Sequence, residues 1–384
     1  MKDKLFQIID ELNVEYVKML EDVCNIESPW NYKEGVDAVG EYFIRHANAR
    51  GWKVDVFEQE RAGNVVTITM NADVDAAPIA FSGHMDTVHA VGSFGNPPTR
   101  IDWENDKIYG PGTTDCKGGI VTGFLAMEAL SRVGYNKRPV VMYLQSDEES
   151  GGKLSADATI NHICEVAQGS AAFFNLEGGS PGKICIGRKG IVSFEFTVTG
   201  IEAHSAGCAT NGANAILEAA YKIIELEKFK DPKGLTCCCS VINGGTKHNI
   251  VPGECKFVAN VRFAKQSELD EFIAAAEKLC QDIKVPGCTC KMVIPRIRPA
   301  MEICDRNIAL VDKLNEIWRE NGIEEFQWTF NGGGSDAANV SAAGIPTVDS
   351  MGSTGGKIHT IDEFGKISSI ADYAKRLAVA TYYF

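Results

Sequence analysis

Apolar and polar positions change their rhythm twice along the chain. Between residues 50 and 180, short apolar runs alternate with stretches whose apolar residues recur at helical spacing, the pattern of an α/β layer structure. The runs Pro78-Ile79-Ala80-Phe81, Pro139-Val140-Val141-Met142-Tyr143-Leu144 and Ala171-Ala172-Phe173-Phe174-Asn175-Leu176 read as strands. A polar cluster follows each of them: Gly83-His84, then Asp147-Glu148-Glu149, then Glu177. Open α/β sheets place their active sites at the carboxyl ends of strands, so these clusters stand where chemistry is expected. Residues 189–299 read differently. Val192, Phe194, Phe196 and Val198 alternate with Ser193, Glu195, Thr197 and Thr199, a period of two that predicts a strand with one buried face. A helix pattern runs through Ala213, Ile216, Leu217, Ala220 and Ile224, followed by strands near 235–242 and 254–263. A second helix is predicted from Ser267, with Asp270 as its capping partner, and a last strand over roughly 288–294. The order βαββαβ is that of a ferredoxin-like unit. The α/β rhythm then resumes with a strand at 326–330, a glycine loop at 332–334, a strand around 346–348 and a helix from about 362. The predicted architecture is an α/β domain made of residues 1–188 and 300–384, interrupted by a small α+β domain at 189–299.

Composition narrows the setting. No apolar run approaches the roughly 18–20 residues that a membrane-spanning helix needs. A net charge of −13 disfavours nucleic acid and anionic lipid as partners, since either would require a basic face. The chain starts with apolar residues at helical spacing and acids between them, unlike a signal peptide, so secretion is not expected. The 13 cysteines, three of them consecutive at Cys237-Cys238-Cys239, suit packed thiols in a reducing cytoplasm better than a disulfide framework.

The candidate chemistry sits in the polar clusters. His84 and Asp86 are two residues apart at a strand end and can leave it on the same side, the aspartate supporting the imidazole. Asp115 precedes Lys117-Gly118-Gly119 and a long apolar helix pattern, where an aspartate can also act as an ordinary N-cap. Asp147-Glu148-Glu149 stacks three carboxylates that repel one another unless cations or hydrogen bonds compensate. An imidazole, a carboxylate able to bridge and two adjacent glutamates can hold two cations about 3.5–4 Å apart and leave one carboxylate over as a base.

Seven ordered motifs carry a resemblance to a known family. They are His84-Met85-Asp86-Thr87-Val88, Gly110-Pro111-Gly112-Thr113-Thr114-Asp115-Cys116-Lys117-Gly118-Gly119, Asp147-Glu148-Glu149-Ser150-Gly151-Gly152, Leu176-Glu177, Ala203-His204-Ser205-Ala206-Gly207, Gly332-Gly333-Gly334-Ser335-Asp336-Ala337-Ala338 and Ile358-His359. In order and spacing the chain resembles the co-catalytic zinc metallopeptidases that include bacterial glutamate carboxypeptidase, acetylornithine deacetylase, succinyl-diaminopimelate desuccinylase and aminoacylase. The glycine-rich and lid segments look most like glutamate carboxypeptidase. The resemblance implies an α/β/α zinc-peptidase catalytic domain interrupted by a ferredoxin-like α+β dimerisation and lid domain. It implies two Zn2+ per subunit, with Co2+ or Mn2+ as possible substitutes. Asp115 would bridge them, His84 and Glu177 would complete one site, and Glu149 and His359 the other. Glu148 would be the general base, Asp86 would support His84, and His204 would reach the partner subunit's site in a homodimer to stabilise the oxyanion. Where the family often has a second acid after the bridging aspartate, this chain has Cys116, which is expected to leave metal binding little changed. A substrate carboxylate needs fixed donors; Arg262, Arg298 and Lys183 are the candidates, with Asn249 beside His248 as a further contact. The loop Gly332-Gly333-Gly334-Ser335 could offer backbone N–H groups to an anion or serve as a tight turn. The expectation is a carboxypeptidase that releases an amino acid such as glutamate from a small peptide. An N-acyl-amino-acid deacylase is the alternative, and a catalytically silent zinc- or peptide-binding protein a distant one.

Overall fold

The computed structural model describes residues 1–384, which separate into two compact units. The first consists of Met1–Ile186, Ile303–Phe330 and Ser335–Phe384, the second of Gly187–Glu302 and Asn331–Gly334.

A six-stranded sheet organises the first unit. Its strands β1 (Lys53–Phe57), β2 (Val65–Met70), β3 (Ile79–His84), β4 (Val140–Gln145) and β5 (Ala172–Asn175) lie in the order β1-β2-β4-β3-β5, with the short strand Thr347–Val348 beyond β5. β4, β3, β5 and Thr347–Val348 run parallel, while β1 and β2 join antiparallel. Side chains alternate between two cores because successive strand residues face opposite ways. Val66, Ile68, Ile79, Phe81, Met142 and Phe174 pack into one cluster, which contains residues of the helices α1 (Lys2–Asn25), α2 (Lys33–Asn48) and α3 (Lys117–Arg132). Val65, Ala80, Val141, Tyr143 and Phe173 pack into the other, with Ile160 and Ile163 of α4 (Ala158–Val166). This is the three-layer arrangement expected of continuous apolar strands such as β3 and β4, which are buried along their whole length. α3 is buried on every side from Lys117 to Leu130, which is why its sequence is apolar all round instead of striped.

The second unit has the ferredoxin-like order. Strand β6 (Gly190–Thr199), the short strand β7 (Ala203–His204), helix α5 (Ala215–Leu226), strands β8 (Thr236–Gly244), β9 (Ile250–Val251) and β10 (Glu254–Phe263), helix α6 (Gln266–Gln281) and strand β11 (Thr289–Val293) follow in turn. The sheet reads β8-β10-β6-β11, antiparallel throughout. The inward residues Phe194, Phe196, Phe257 and Phe263 meet Ala215, Ala219, Leu269 and Phe272 of the two helices.

Two expectations need correction. The capping carboxylate of α6 is Glu268, which accepts from the N–H groups of Ala264 at 2.9 Å and Lys265 at 3.1 Å, while Asp270 instead accepts from the Gln266 side chain. The helix is capped at Lys265, two residues before Ser267, and the acid that faces the free N–H groups moves with it from Asp270 to Glu268. The glycine loop belongs to the second unit: Lys189 N–H donates to Asn331 O, and Gly334 packs on Ile191 and Arg298 with no room for a side chain.

What places the site is the parallel part of the sheet. His84 ends β3, Glu148 and Glu149 follow β4, and Glu177 follows β5, so their strands deliver them to one edge. The start of α3 must pass close to the end of β5, and glycine allows it. A Cβ on Gly119 would lie 1.8 Å from the Leu176 carbonyl oxygen, and one on Gly118 2.1 Å from that of Thr113. The substitution Gly119→Ala is therefore expected to destabilise the protein by more than about 2 kcal/mol in denaturant unfolding. An unchanged midpoint would mean that the contact can relax freely.

Candidate active site

The site begins with the tautomer of His84. Its ring is almost wholly buried, and Nδ1 lies 2.9 Å from the main-chain carbonyl of Asp86, an acceptor, so the neutral ring carries its proton on Nδ1. Nε2 is left with a lone pair, which faces Asp115 Oδ1 at 3.0 Å and Glu177 Oε1 at 3.6 Å. The contact of Asp86 with the His84 ring is thus made by its main-chain carbonyl. Its carboxylate stands 3.6 Å from Nδ1 and accepts from the N–H groups of Glu148 at 3.3 Å and Glu149 at 2.9 Å, so it anchors the acidic turn.

Asp115 is the centre of the arrangement. Oδ1 faces His84 Nε2, and Oδ2 faces His359 Nε2 at 3.1 Å, with Glu149 Oε2 3.6 Å from the same imidazole. Two sets of three donor atoms result, each with one nitrogen, one oxygen of Asp115 and one glutamate oxygen. Ligand atoms held tetrahedrally at 2.0–2.1 Å from an ion are about 3.3 Å apart. The imidazole-to-oxygen separations of 3.0 to 3.6 Å match that value in both sets, and the donor atoms of His84, Asp115 and Glu149, like those of His84, Cys116 and Glu177, lie within 4.8 Å of one another, close enough to hold a metal ion. Glu148 belongs to neither set and is buried beside them. Cys116, joined to Asp115 by a cis peptide bond, gives its thiol proton to the Leu176 carbonyl oxygen at 3.1 Å.

The electrostatics point the same way. Asp86, Asp115, Glu148, Glu149 and Glu177 gather five carboxylates around two imidazoles. Burial, joined by the charges of Asp115, Glu148 and Asp86, pushes Glu149 up to about 10. Burial and Asp115 raise Glu177 well above the usual carboxylate range. Burial opposes a charged His84, yet Cys116, Asp115, Asp86 and Glu177 outweigh it and hold the imidazole well above its usual value. The hydrogen bond to Asp115 raises His359. Burial likewise opposes ionisation of Asp115, but its bonds to His359 and His84 overcome this and keep its carboxyl far below the usual range. A group of anions that retains protons in this way is one that cations would discharge.

The remaining candidates lie in both units. In the second, pairing of β7 with β9 sets His204 opposite Ile250, and the Ser205 N–H donates to Asn249 O at 3.0 Å, so His204 and Asn249 are neighbours. His204 Nδ1 accepts from the Ala206 N–H at 3.2 Å, so its neutral ring carries the proton on Nε2, at an exposed position. Arg262 Nη1 donates to Gly332 O at 3.4 Å, and a Cβ on Gly334 would lie 3.1 Å from Arg298 Nη1. Burial, with the charge of Arg298, lowers the pKa of Arg262. Gly333 and Gly334 are thus flanked by guanidinium groups. In the first unit, Ser335 turns inward: it is fully buried, and its hydroxyl accepts from the Asn175 side chain at 3.0 Å and the Ala337 N–H at 3.2 Å. Lys183 is exposed at the start of the strand Lys183–Arg188. Sequence reasoning missed Glu363 and His89, which meet at 2.8 Å in the buried interior. They are 274 residues apart, and no local pattern marks either one.

Comparison with known proteins places the chain in a family. The sequence model described as Peptidase family M20/M25/M40 matches residues 80–382. A carboxypeptidase G2 from Pseudomonas sp. (strain RS-16) is 28% identical over 383 residues, covering 98% of this chain and 88% of that protein. A succinyl-diaminopimelate desuccinylase from Nitrosospira multiformis is 27% identical over 338 residues, covering 82% of this chain and 85% of that one. The solved structure of a tripeptidase from Staphylococcus aureus shares the fold, with a TM-score of 0.79 at 20% identity over 96% of this chain and 98% of that chain.

The raised groups make a prediction about pH. Glu149, Glu177, His84 and His359 all have folded-state pKa values above their ordinary ones. Such a group stabilises fully below its unfolded pKa and loses that contribution as pH rises through its folded pKa, whereas the window of Asp115 lies lower. The metal-free protein is expected to lose melting temperature as the pH climbs from about 5 to about 8, with the slope flattened in Glu149→Gln and abolished by excess Zn2+. A metal-free melting temperature that rises over this window would contradict the assignment.

Proposed function

The chain is a hydrolase of peptidase family M20/M25/M40, and from that premise we propose that it is a zinc-dependent carboxypeptidase. It hydrolyses an amide bond next to a free carboxylate and releases a C-terminal amino acid such as glutamate. The observation that carries the reading is Asp115, whose two oxygens face two different histidines. His84, Asp115 and Glu177 would hold one cation and His359, Asp115 and Glu149 the other. Zinc suits sets of one imidazole and two carboxylates, and Co2+ or Mn2+ can replace it. When bound, the pair supplies Lewis acidity toward the scissile carbonyl and lowers the pKa of water.

The chain's own residues do the rest. Glu148 takes a proton from the attacking water and returns it to the leaving nitrogen, and burial beside four other carboxylates suits it to hold a proton between the two steps. The outward Nε2–H of His204 is a donor for the developing oxyanion, with Asn249 beside it. Arg262 and Arg298, next to Gly332 and Gly334, supply charge and planar donors for the substrate carboxylate. Lys183 is a further candidate on the exposed start of its strand. Ser335 would act only through the turn it closes, because its hydroxyl is engaged with Asn175 and Ala337.

A homodimer is supported by the second unit. β8 is an edge strand, and Val241 and Ile242 on it are exposed together with Ile216, Leu217, Tyr221 and Ile224 on α5. Exposed apolar residues beside a free sheet edge mark an association surface. All 13 cysteines are free thiols, which supports a cytoplasmic setting, and no helix is long and apolar enough to cross a membrane. The likeness to a desuccinylase favours a second reading, deacylation of N-acyl amino acids by the same machinery.

Amino-acid release from folyl-glutamate, X-Glu dipeptides, other dipeptides and N-acetyl-amino acids separates the two readings. Release of C-terminal glutamate or another free amino acid from peptides supports the carboxypeptidase, and preference for acetylated amino acids moves the assignment to deacylase. Glu148→Gln is expected to keep both metals while turnover falls by about 10²- to 10⁴-fold. Retained activity would remove Glu148 from its role. His204→Ala is expected to lower turnover by about 10²- to 10³-fold at unchanged metal content. If His204 serves the partner's site, mixing the two inactive variants restores part of the activity, because one site of each heterodimer is then intact. No recovery on verified subunit exchange would restrict His204 to its own subunit.

A further inference from the structure

Glu363 belongs to neither set of donors, yet it is fully buried and its carboxylate is met from four directions. Oε1 accepts from the N–H groups of Thr114 at 2.9 Å and Asp115 at 3.1 Å. Oε2 accepts from the Gly112 N–H at 3.3 Å and from His89 Nε2 at 2.8 Å. Its main-chain carbonyl also accepts from the Gly110 N–H at 3.2 Å. Burying an ionised carboxylate is costly unless donors surround it, and here they do.

The location of those donors gives them meaning. Gly112, Thr114 and Asp115 form the loop that ends in the shared carboxylate. His89 lies five residues past His84, on the segment that leaves β3. Glu363 itself lies four residues past His359, in a stretch where Lys357 and His359 adopt left-handed φ values of 60° and 62°. Residues with a side chain hold that conformation only where their surroundings impose it. Turns running from Lys357 O to Thr360 N–H and from Thr360 O to Glu363 N–H, both at 3.1 Å, connect the strained histidine directly to the buried carboxylate. One side chain therefore ties together three segments of chain, and each of the three carries a candidate metal ligand.

We propose that Glu363, assisted by His89, is a positioning residue that sets the separation of the two cation sites by fixing the Asp115 loop against the segment that bears His359. The inference rests on the two-cation reading of the site. His84 has an anchor of its own in the Asp86 carbonyl, whereas the His359 side chain is 56% exposed. Weakening Glu363 should therefore loosen the set formed by His359, Asp115 and Glu149 before it disturbs the other.

The test is metal binding by the full-length protein, read without reference to turnover. Glu363→Gln keeps the shape of the side chain but turns one acceptor into a donor that faces N–H groups. Calorimetric titration with Zn2+ should show one site nearly unchanged and the other weakened by about 10- to 100-fold, the usual effect of removing a partner that orients ligands. Loaded with Mn2+ at a concentration that fills both sites of the wild type, the variant should lose the spin-coupled electron-resonance signal of a carboxylate-bridged pair and show isolated ions. His89→Phe, which removes one donor of four, should move both readouts in the same direction by less. It also serves if Glu363→Gln does not fold. Glu128→Gln is the control for a purely structural effect: it breaks the Arg50 and Arg132 pairs at the far end of α3 and should lower stability without touching the metals. Two equal, unshifted affinities and a retained coupled signal in both Glu363→Gln and His89→Phe would overturn the proposal. A wild type that takes up fewer than two cations would instead sink the two-cation reading, and the proposal with it.

Discussion

Like-charge repulsion is the constraint that the rest of the structure answers. Five carboxylates meet at one end of the main sheet, and without cations Glu149 and Glu177 resist ionisation. Three devices keep them together. The imidazoles of His84 and His359 stand one at each oxygen of Asp115. Main-chain N–H groups are directed at Asp86 and Glu363, two carboxylates outside the donor sets, Asp86 receiving two and Glu363 three. The parallel strands fix the distances, because β3, β4 and β5 end side by side in a core too densely packed to shift. Two dications would complete the neutralisation: five negative charges against four positive ones leave the site close to balance. Demand for cations is thus written into the fold before any ligand arrives.

The glycines around α3 serve the same end. The start of the buried helix that follows Asp115 has to approach the end of a neighbouring strand, and the main chains of Gly118 and Gly119 come against Thr113 and Leu176 closer than any Cβ would permit. Glycine near a helix start is ordinarily a small loss of stability. Here it allows Asp115 to stand between residues delivered by β3 and β5.

Much of this could be read in the sequence, for identifiable reasons. Strand ends were legible because β3, β4 and β5 are buried on both faces and so appear as unbroken apolar runs with polar residues after them. The second unit was legible because β6 and β10 each bury one face and alternate strictly. Motif order pointed to His84, Asp115, Glu149, Glu177 and His359, whose side chains the structure brings together. What escaped were relationships formed by distance in the chain. The loop Asn331–Gly334 joins the second unit through Lys189, Arg262 and Arg298, contacts that no local pattern encodes. The Glu363 and His89 pair is a polar contact inside the protein between residues that look unremarkable where they stand. Asp86 lies beside His84, but its carbonyl meets the imidazole while its carboxylate holds the acidic turn, a division that depends on main-chain orientation at the end of β3. Ser335 adjoins the glycine loop in sequence but is turned inward by Asn175 and Ala337.

The two histidines with opposite tasks obey one rule. At His84 a carbonyl acceptor draws the proton to Nδ1, so Nε2 offers a lone pair. At His204 an N–H donor occupies Nδ1, so Nε2 keeps the proton and offers a donor. With the Nδ1 partners exchanged, a neutral His84 would direct a proton at Asp115 and Glu177, and a neutral His204 would present a lone pair at its exposed Nε2. The same side chain, in its neutral form, offers a lone pair in one unit and a hydrogen-bond donor in the other. The choice is made by a single main-chain group within two residues of each ring, which is why neither role can be assigned from the presence of a histidine alone.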